Sequence, residues 1–379
     1  MTPIPQLLGH SRLAQRSPSW VPKHPHMRNL LGRRRTLCAA TKANDNPEYA
    51  SWNKLTDRLV GSASIPFSIL VLPQVFQNFV NMSNGNPQAL SIISWEGYLS
   101  ALLGNTLMCS HFADRGEASA VNVQLVGIAN NMLVLAQMAF ASFMPVPIFA
   151  AVAAVVGTAV AISIARAQGA LKADSDSSGS LGPWRLWQLF SGVFGLAVVP
   201  QVLYNVLYPG NPTPAPGLTA LAVAAVYFGV IARGPGQAKL VAGLPGWAST
   251  LLFALSPLPQ LVRNFIDACS LEGLSVGTML LALAGNALMV PRALLVRDVV
   301  WLAGTVWACV AGWGQLLSMF MRESPTTGLR FVSPPIFYAV SAVMAAYFVY
   351  VLAKDARVRT HSSNSTDKGG PSPAPSAAG

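Results

Sequence analysis

The octapeptide VLPQVFQN, residues Val71–Asn78, places a proline and several amide side chains inside an otherwise apolar run. Near copies occur as VVPQVLYN at Val198–Asn205 and as PLPQLVRN at Pro257–Asn264. Proline removes a backbone hydrogen bond and bends a helix, and a glutamine and an asparagine four residues apart share one helix face. The pattern therefore predicts three bent helices, each with a polar stripe. A single copy is equally typical of a polar helix end capped by its asparagine.

The composition is typical of a membrane protein. Of 379 residues, 52% are hydrophobic and 10% are charged, whereas soluble domains carry about 25% charged residues. Apolar runs of roughly 18 or more residues recur along the chain, as they do in membrane-spanning helices. We therefore predict an all-α polytopic membrane protein.

Ten transmembrane helices are predicted. They cover approximately Leu59–Val80, Ile92–Phe112, Ala118–Phe140, Pro147–Ala167, Trp184–Leu207, Gly217–Ala232, Val241–Phe265, Val276–Pro291, Val299–Phe320 and Pro334–Ala353. With this count one side of the membrane receives most of the basic residues, namely Lys54, Arg58, Arg115, Arg166, Lys172, Arg185, Arg233, Lys239, Arg292, Arg297, Lys354, Arg357 and Arg359. The other side receives Arg263, Arg322 and Arg330. This bias follows the positive-inside rule and places both termini in the same compartment.

The two ends of the chain differ from the rest. Residues 1–44 carry basic side chains and no carboxylate, which is typical of an organellar transit peptide; a retained basic tail is the alternative. Residues 355–379 include a stretch rich in Ser, Pro and Gly and are predicted to form a disordered tail. Since the leader holds most of the net charge of +11, that charge does not indicate nucleic-acid binding.

The chain also contains an internal repeat. Four motifs of the first half recur in the same order in the second half: LPQVFQN as LPQLVRN, LLGNTLM as LAGNALM, QLVG as WLAG, and PIFAAV as PIFYAV. We predict a first transmembrane repeat at 45–168, a connecting helix pair at 169–240 and a second repeat at 241–354. An even number of spans separates the copies, so both insert in the same direction. Transporters built from such parallel repeats bind substrate between them, near the bilayer midplane.

Two groups of residues are predicted to be functional. The hinge residues are Pro73, Gln74, Pro200, Gln201, Pro259 and Gln260. The substrate-binding residues are Asn105, Asn286, Gln137, Gln315, Asn130, Trp301 and Trp307. Neutral amides beside indole rings suit a sugar, whose hydroxyls need donors and acceptors while its C–H face contacts aromatic rings. The alternative roles are interhelical hydrogen bonding for the amides and interfacial anchoring for the tryptophans.

Ionisable residues are rare within the spans, and Glu96 is the one credible candidate for proton or ion coupling. The spans therefore favour facilitated movement of a neutral solute. The sequence shows no metal-site or acidic motif for enzyme chemistry, so we predict no enzyme activity, no metal and no cofactor.

Several stretches resemble the plastid maltose exporter family, also called the Maltose Excess family. They are WEGYLSALLGN, QMAFASFMP and GLSVGTMLLALAGNALMVPRALLVRDVVWLAGTVWA, and the similarity runs from about Ser51 to Lys354. Through the Pro-Gln motifs the chain is more distantly similar to SWEET and PQ-loop transporters. The resemblance implies a multi-pass protein of the chloroplast inner envelope, with both termini in the stroma, that exports maltose from starch breakdown to the cytosol.

We therefore expect facilitated alternating-access transport of maltose, with glucose as a second candidate substrate and the lipid bilayer as the surrounding partner. Two other functions stay open. One is a proton-coupled PQ-loop carrier for another small solute. The other is a cargo-sorting or scaffold receptor, which binds its ligand without moving it across the membrane.

Overall fold

The computed structural model describes residues 47–85, 95–171, 182–208, 213–228, 237–266, 271, 275–325 and 327–367. Residues Ser51–Arg359 form one compact unit. Throughout the described residues the regular structure is helical, apart from one antiparallel bridge between Glu323 and Arg330. The all-α class is confirmed. The predicted transit peptide, residues 1–44, lies outside the described residues.

Eleven helices are seen in the described part of the chain. They are α1 (Pro47–Ser83), α2 (Trp95–Arg115), α3 (Ala118–Phe140), α4 (Val146–Ala167), α5 (Pro183–Leu207), α6 (Ala215–Val226), α7 (Gln237–Leu255), α8 (Leu258–Ile266), α9 (Val276–Val296), α10 (Val299–Met321) and α11 (Pro334–Asp367). Below, α1–α4 are called the N-terminal bundle and α7–α11 the C-terminal bundle.

Seven of the described helices are long and apolar enough to cross a membrane: α1, α3, α4, α5, α9, α10 and α11. The apolar part of α7, Leu240–Leu255, and helix α6 are shorter. Seven such helices are consistent with the predicted polytopic membrane protein. The count of ten spans stays a prediction.

Helix α2 has the length of a span but a more polar sequence. Its polar side chains Thr106, Ser110 and His111 are buried, and α2 packs against α3, α4, α5 and α7. The Thr106 hydroxyl donates to the Leu102 carbonyl at 2.8 Å, so it is satisfied within its own helix. A helix enclosed by other helices need not be apolar all round, because its polar groups find partners inside the protein.

Two boundaries differ from the prediction. The seventh predicted span is divided at Ser256–Pro257 into α7 and α8, because Pro257 and Pro259 each lack the amide donor that would continue the helix. Helix α11 continues to Asp367. The first part of the predicted disordered tail, up to that residue, is therefore helical.

Each bundle has a hydrophobic core. The N-terminal core centres on α2 and α3, with Leu102, Phe112 and Leu135 fully buried, and it extends into the C-terminal bundle through Met289 and Trp301. The second core joins α9, α10 and α11 through Leu283, Leu316, Met319 and Phe337, among others. The shared side chains place the interface between the bundles beside α2, α3, α9 and α10.

Candidate functional site

A cavity of about 370 Å³ lies between the two bundles. Its wall combines α1, α2 and α3 of the N-terminal bundle with α7, α9, α10 and the α7–α8 break of the C-terminal bundle. The polar residues of the wall are Tyr98, Asn105, Gln124, Asn130, Asn131, Ser256, Asn286 and Thr305. Aromatic rings are contributed by Phe67, Tyr98, Phe112, Phe253 and Trp301. The described lining residues are all uncharged, so the cavity suits a neutral polar solute.

Reciprocal contacts join the bundles beside the cavity. Gly104 of α2 faces the Phe253 ring of α7, and Gly285 of α9 faces the Phe67 ring of α1. A Cβ atom on these glycines would lie 2.9 Å and 2.7 Å from the respective ring carbons, so a larger residue would require the ring to shift. Gly104 and Gly285 occupy the same place in the repeated LxGN motif. Phe67 and Phe253 stand at the same spacing before the Pro-Gln prolines. Each bundle therefore inserts an equivalent ring against an equivalent glycine of the other.

The two predicted asparagines after these glycines both line the cavity. Asn105 Nδ2 donates to the Ala101 carbonyl at 2.8 Å, and Asn286 Nδ2 donates to the Ala282 carbonyl at 2.8 Å. Each amide is thus anchored to the preceding turn of its own helix in the same way. Anchoring through the nitrogen fixes the side chain and leaves an oxygen acceptor for a further partner.

Two buried lining residues carry polar atoms without a hydrogen-bond partner among the described residues. They are Gln124, whose Oε1 accepts no bond, and Trp301, whose Nε1 donates none. Their exposed fractions are 6% and 1%. They occupy matching places in QLVG and WLAG, so each bundle contributes one. A buried polar group without a partner costs about 1–3 kcal/mol, so this acceptor and this donor are available to water or to a ligand with hydroxyl groups.

Trp301 was predicted as a binding residue, whereas Gln124 was not. The match between QLVG and WLAG is the sequence signal that would have selected it. The indole of Trp301 also contacts the Phe112 ring edge-on, with centroids 4.6 Å apart.

Asn130 of α3, one of the predicted binding residues, also lines the cavity. Its Nδ2 donates to the Phe67 carbonyl of α1 at 3.0 Å. The next residue, Asn131, donates to the Gly127 carbonyl at 2.7 Å. Asn130 therefore joins two helices of the N-terminal bundle while facing the cavity.

Three other predicted binding residues lie outside the described cavity wall. Gln137 donates to the Val75 carbonyl at 3.0 Å and accepts from Asn78 Nδ2 at 2.9 Å, so it ties α3 to the Pro-Gln segment of α1. Trp307 donates to the Ala254 carbonyl at 3.2 Å, near the interrupted end of α7. Gln315 is buried within α10.

The Pro-Gln segments do not all behave alike. Helices α1 and α5 continue through Pro73 and Pro200, whereas the third segment follows the α7–α8 break. Gln201 donates to the Thr213 carbonyl at 2.8 Å and accepts from the Gly217 amide at 3.0 Å, so it joins α5 to the start of α6. Gln74, Pro259 and Gln260 are not among the residues whose side chains the structure describes. The hinge role stays a prediction for all three segments.

An ion pair joins the bundles beside the lining residues Phe112 and Trp301. His111, near the end of α2, lies with its Nε2 2.8 Å from Oδ2 of Asp298, the residue that precedes α10. Both side chains are at least 95% buried. The other carboxylate oxygen of Asp298 accepts from the Trp301 amide at 3.1 Å and caps α10. The pair therefore holds α2 of one bundle against the start of α10 of the other.

The pKa of Asp298, in the α9–α10 connection, reflects this setting. Burial acts to raise the pKa, but the hydrogen bond and positive charge of His111 act to lower it, with smaller contributions from the Trp301 amide and Arg115. The net effect lowers the pKa of Asp298, so the carboxylate is ionised at neutral pH.

A second ion pair crosses the interface in the opposite sense. Arg292, near the end of α9, donates from Nε to Oε2 of Glu117 at 2.8 Å and from a terminal nitrogen to Oε1 at 3.1 Å. Glu117 is the residue that precedes α3. Arg292 also donates to the Asn53 side chain of α1. Such a two-point contact between guanidinium and carboxylate is strong and directional.

The two ion pairs occupy equivalent positions. His111 and Arg292 stand at the same spacing after the repeated asparagine, and Glu117 directly precedes α3 as Asp298 directly precedes α10. Both pairs lie where α2 and α9 end and α3 and α10 begin, at residues 115–118 and 296–299, here called the basic end. No motif in the sequence linked these residues, since each pair joins positions far apart in the chain.

The described lining of the cavity consists of amides, hydroxyls, aromatic rings and apolar side chains. Among the described residues, no group of three or more His, Cys, Asp or Glu side chains is placed to hold a metal ion. The arrangement consists of fixed amides and aromatic rings, with two ion pairs between the bundles at the basic end.

Comparisons with known proteins agree with this arrangement. Residues 46–172 match the family model for the maltose excess protein 1 N-terminal domain, and residues 241–291 match the PQ loop repeat. The two models thus fall on the two bundles. No solved structure matches the chain.

Two curated relatives are similar over most of their length. The chain is 38% identical over 311 residues to maltose excess protein 1-like, chloroplastic, of Oryza sativa subsp. japonica, covering 78% of this chain and 75% of that protein. It is 35% identical over 321 residues to maltose excess protein 1, chloroplastic, of Arabidopsis thaliana, covering 83% and 74%. With such identity over most of both relatives, the chain belongs to the maltose excess protein 1 family.

Proposed function

We propose that this protein exports maltose from the stroma to the cytosol across the chloroplast inner envelope, by facilitated alternating access. The observation that carries the proposal is the neutral, amide-lined cavity of about 370 Å³ between the bundles. Its volume lies within the range of small-molecule sites, roughly 300–1,000 Å³. The choice of maltose as the substrate and of the plastid as the location comes from the names of the two relatives.

The architecture in this proposal consists of ten spans, with two parallel four-helix repeats joined by α5 and α6. The reciprocal contacts of Phe67 with Gly285 and of Phe253 with Gly104 support it. Contacts that repeat in both directions are expected where two like-oriented copies pack about an axis along the membrane normal.

The proposed binding residues are Asn105, Asn286, Asn130 and Trp301, joined by Gln124. Their amide groups offer both donors and acceptors to sugar hydroxyls, and the indole offers an apolar face. Gln137, Gln315 and Trp307 instead support the helices that form the wall. The Pro-Gln segments remain the proposed hinges.

The ion pairs indicate which way the cavity faces. Beyond Phe112 and Trp301, the His111–Asp298 and Arg292–Glu117 pairs hold the bundles together at the basic end. Toward the other end the wall is formed by uncharged residues such as Tyr98 and Ser256. The positive-inside rule assigns the basic end to the stroma. In the proposed mechanism the basic end is the stromal gate, and export requires both ion pairs to separate.

The test is an efflux assay with liposomes that contain the purified protein and are loaded with labelled maltose. We expect saturable efflux, faster than from protein-free liposomes, that persists when a pH gradient is collapsed. The same assay with labelled glucose tests whether glucose is a second substrate. Maltose binding without efflux would overturn the proposal in favour of a receptor.

A proton-coupled PQ-loop carrier is the second candidate, because the PQ loop repeat matches residues 241–291. It predicts that collapsing the pH gradient abolishes solute accumulation, and that a Glu96→Gln variant has the same effect. Labelled amino acids replace maltose in this arm of the assay. Accumulation of an amino acid with no maltose flux would favour this candidate.

A further inference from the structure

The two bundles each place one buried residue at the same point of a repeated motif. Gln124 begins QLVG in α3 and Trp301 begins WLAG in α10, and the glycines that end these motifs, Gly127 and Gly304, also line the cavity. Gln124 Oε1 and Trp301 Nε1 have no hydrogen-bond partner among the described residues. The cavity therefore has an unpaired acceptor on the wall of one bundle and an unpaired donor on the wall of the other.

The asparagines of the wall differ from this pair, because their side chains are engaged with the main chain. The side-chain nitrogens of four of them donate to backbone carbonyls at 2.7–3.0 Å, namely Asn105, Asn130, Asn131 and Asn286. Each of these bonds lies within one bundle. Gln124 and Trp301 are thus the buried wall residues for which a bound solute would supply the missing partner.

The position of Trp301 is fixed by the chain around it. Its backbone amide donates to Asp298 at 3.1 Å, and its carbonyl accepts from the Thr305 hydroxyl at 3.0 Å. Its indole contacts the Phe112 ring of the N-terminal bundle edge-on. The residue is therefore largely preorganised, which lowers the entropic cost of binding a solute.

A hydroxyl is the chemical group that can pair with both unpaired atoms. It donates to an amide oxygen and accepts from an indole N–H, whereas an ammonium only donates and a carboxylate only accepts. A zwitterion carries both of these groups, but its charges would lie against a wall whose described residues are uncharged, which is costly. The two atoms therefore favour a neutral solute with several hydroxyl groups.

We propose that Gln124 and Trp301 determine the specificity of the cavity: Gln124 accepts a hydrogen bond from one hydroxyl of the sugar, and Trp301 donates one to another. The proposal rests on the transport function proposed above. Both atoms are buried in the conformation described, so a small side-chain rotation accompanies binding. Since the residues belong to different bundles, the bound sugar connects α3 with α10. The two hydroxyls can be told apart, because the first must donate and the second must accept.

The first experiment compares maltose with analogues that lack one hydroxyl. Each monodeoxy maltose and each monodeoxyfluoro maltose competes with labelled maltose for uptake into liposomes that contain the purified protein. Fluorine cannot donate a hydrogen bond but can accept a weak one. For the hydroxyl at Gln124, we expect both analogues to inhibit about tenfold more weakly than maltose. For the hydroxyl at Trp301, the deoxy analogue should be about tenfold weaker and the fluoro analogue less affected.

Two variants assign these hydroxyls to the residues. Gln124→Met keeps the approximate shape of the side chain without its amide, and Trp301→Phe keeps an aromatic ring without the N–H. In Gln124→Met, the analogues of the first hydroxyl should inhibit as well as maltose does, because their partner in the protein is already lost. In Trp301→Phe, the same should hold for the second hydroxyl. Each variant should keep the discrimination that the other loses.

The second experiment measures unfolding by SDS in mixed micelles, with and without maltose. Without sugar, Gln124→Met should unfold at no lower SDS content than the unaltered protein, because it removes a buried acceptor that has no partner. Maltose should raise the unfolding midpoint of the unaltered protein, and the variant should lose most of this rise. Gln137→Leu is the matched control, since its amide bonds with Val75 and Asn78. It should unfold more easily and keep the rise with maltose.

The outcomes separate this inference from the transport proposal. Equal discrimination of the analogues by the unaltered protein and by both variants would overturn the role of the pair and leave transport intact. A Gln124→Met variant that is less stable without sugar and keeps the full rise with maltose would overturn it as well, because the amide would then serve helix packing. Absence of maltose flux in the unaltered protein would instead overturn the proposed function. A rise with maltose that Gln124→Met abolishes would in that case still support the pair.

Discussion

Helices α3 and α10 stand at equivalent places in the two bundles and line the same cavity with different side chains. Helix α3 contributes Gln124, Asn130 and Asn131 to the wall, whereas α10 contributes Trp301, Gly304, Thr305 and Ala308. The amide wall and the more apolar wall therefore come from different bundles. A sugar has a hydroxyl edge and a C–H face, so under the proposed function this division would orient it in the cavity.

The contacts that hold the bundles together have changed less. The Phe-Gly contact occurs once in each direction between the bundles, and so does the ion pair. The main difference is that His111 stands where the other ion pair has Arg292. The cavity wall, by contrast, has different side chains on its two equivalent helices.

The largest expected effect tests the difference between the two ion pairs. Arg292→Ala should lower the free energy of unfolding by about 3 kcal/mol, because Glu117 then stays largely buried without its cation. His111→Ala should cost about 1–2 kcal/mol, since Asp298 loses one hydrogen bond but keeps the Trp301 amide and the Arg115 guanidinium as partners. Unfolding by SDS in mixed micelles measures both. Equal losses would contradict the assignment of Arg292 as the stronger connection.

The next effect tests the reciprocal Phe-Gly contacts. Gly285→Val should cost about 2 kcal/mol, because its side chain overlaps the Phe67 ring. The double variant Gly285→Val with Phe67→Ala should recover part of this loss, and Gly104→Val with Phe253→Ala should behave alike. The same unfolding assay applies. A double variant no more stable than Gly285→Val would show that the ring is not the obstacle.

A third effect tests whether the symmetric asparagines contact the sugar. Asn286→Ala and Asn105→Ala should each reduce maltose efflux by about tenfold, the equivalent of about 1.4 kcal/mol, with unchanged expression. Asn122, an exposed amide on α3, provides the matched control, and Asn122→Ala should leave efflux unchanged. Unchanged efflux in the Asn286 variant would exclude that residue from the site.

The smallest effect separates the cavity wall from its supports. Gln137→Leu should lower the free energy of unfolding by about 1 kcal/mol, because the Val75 carbonyl and Asn78 lose a partner. The maltose concentration for half-maximal efflux should not change. A shift in that concentration with unaltered stability would return Gln137 to the binding site.

The helices and part of the site could be predicted from the sequence for a clear reason. Hydrophobic run length locates helices, and an amide in the middle of a span, such as Asn105 or Asn286, must meet either protein or ligand. Gln137 and Trp307 form hydrogen bonds with other helices of the protein. Sequence cannot separate these outcomes, because the choice depends on which helix packs opposite. The division of α7 from α8 was missed because the apolar run continues across Ser256–Pro257.

The sequence by itself determined that this is an all-helical membrane protein with recurring Pro-Gln, Gly-Asn and QLVG-type motifs. Those properties follow from composition, period and order along the chain. Only the tertiary structure decided that Gln124 and Trp301 face a common cavity, and that His111 meets Asp298 as Arg292 meets Glu117. These partners lie in different bundles, and a contact between distant segments is set by how helices pack rather than by their local sequence.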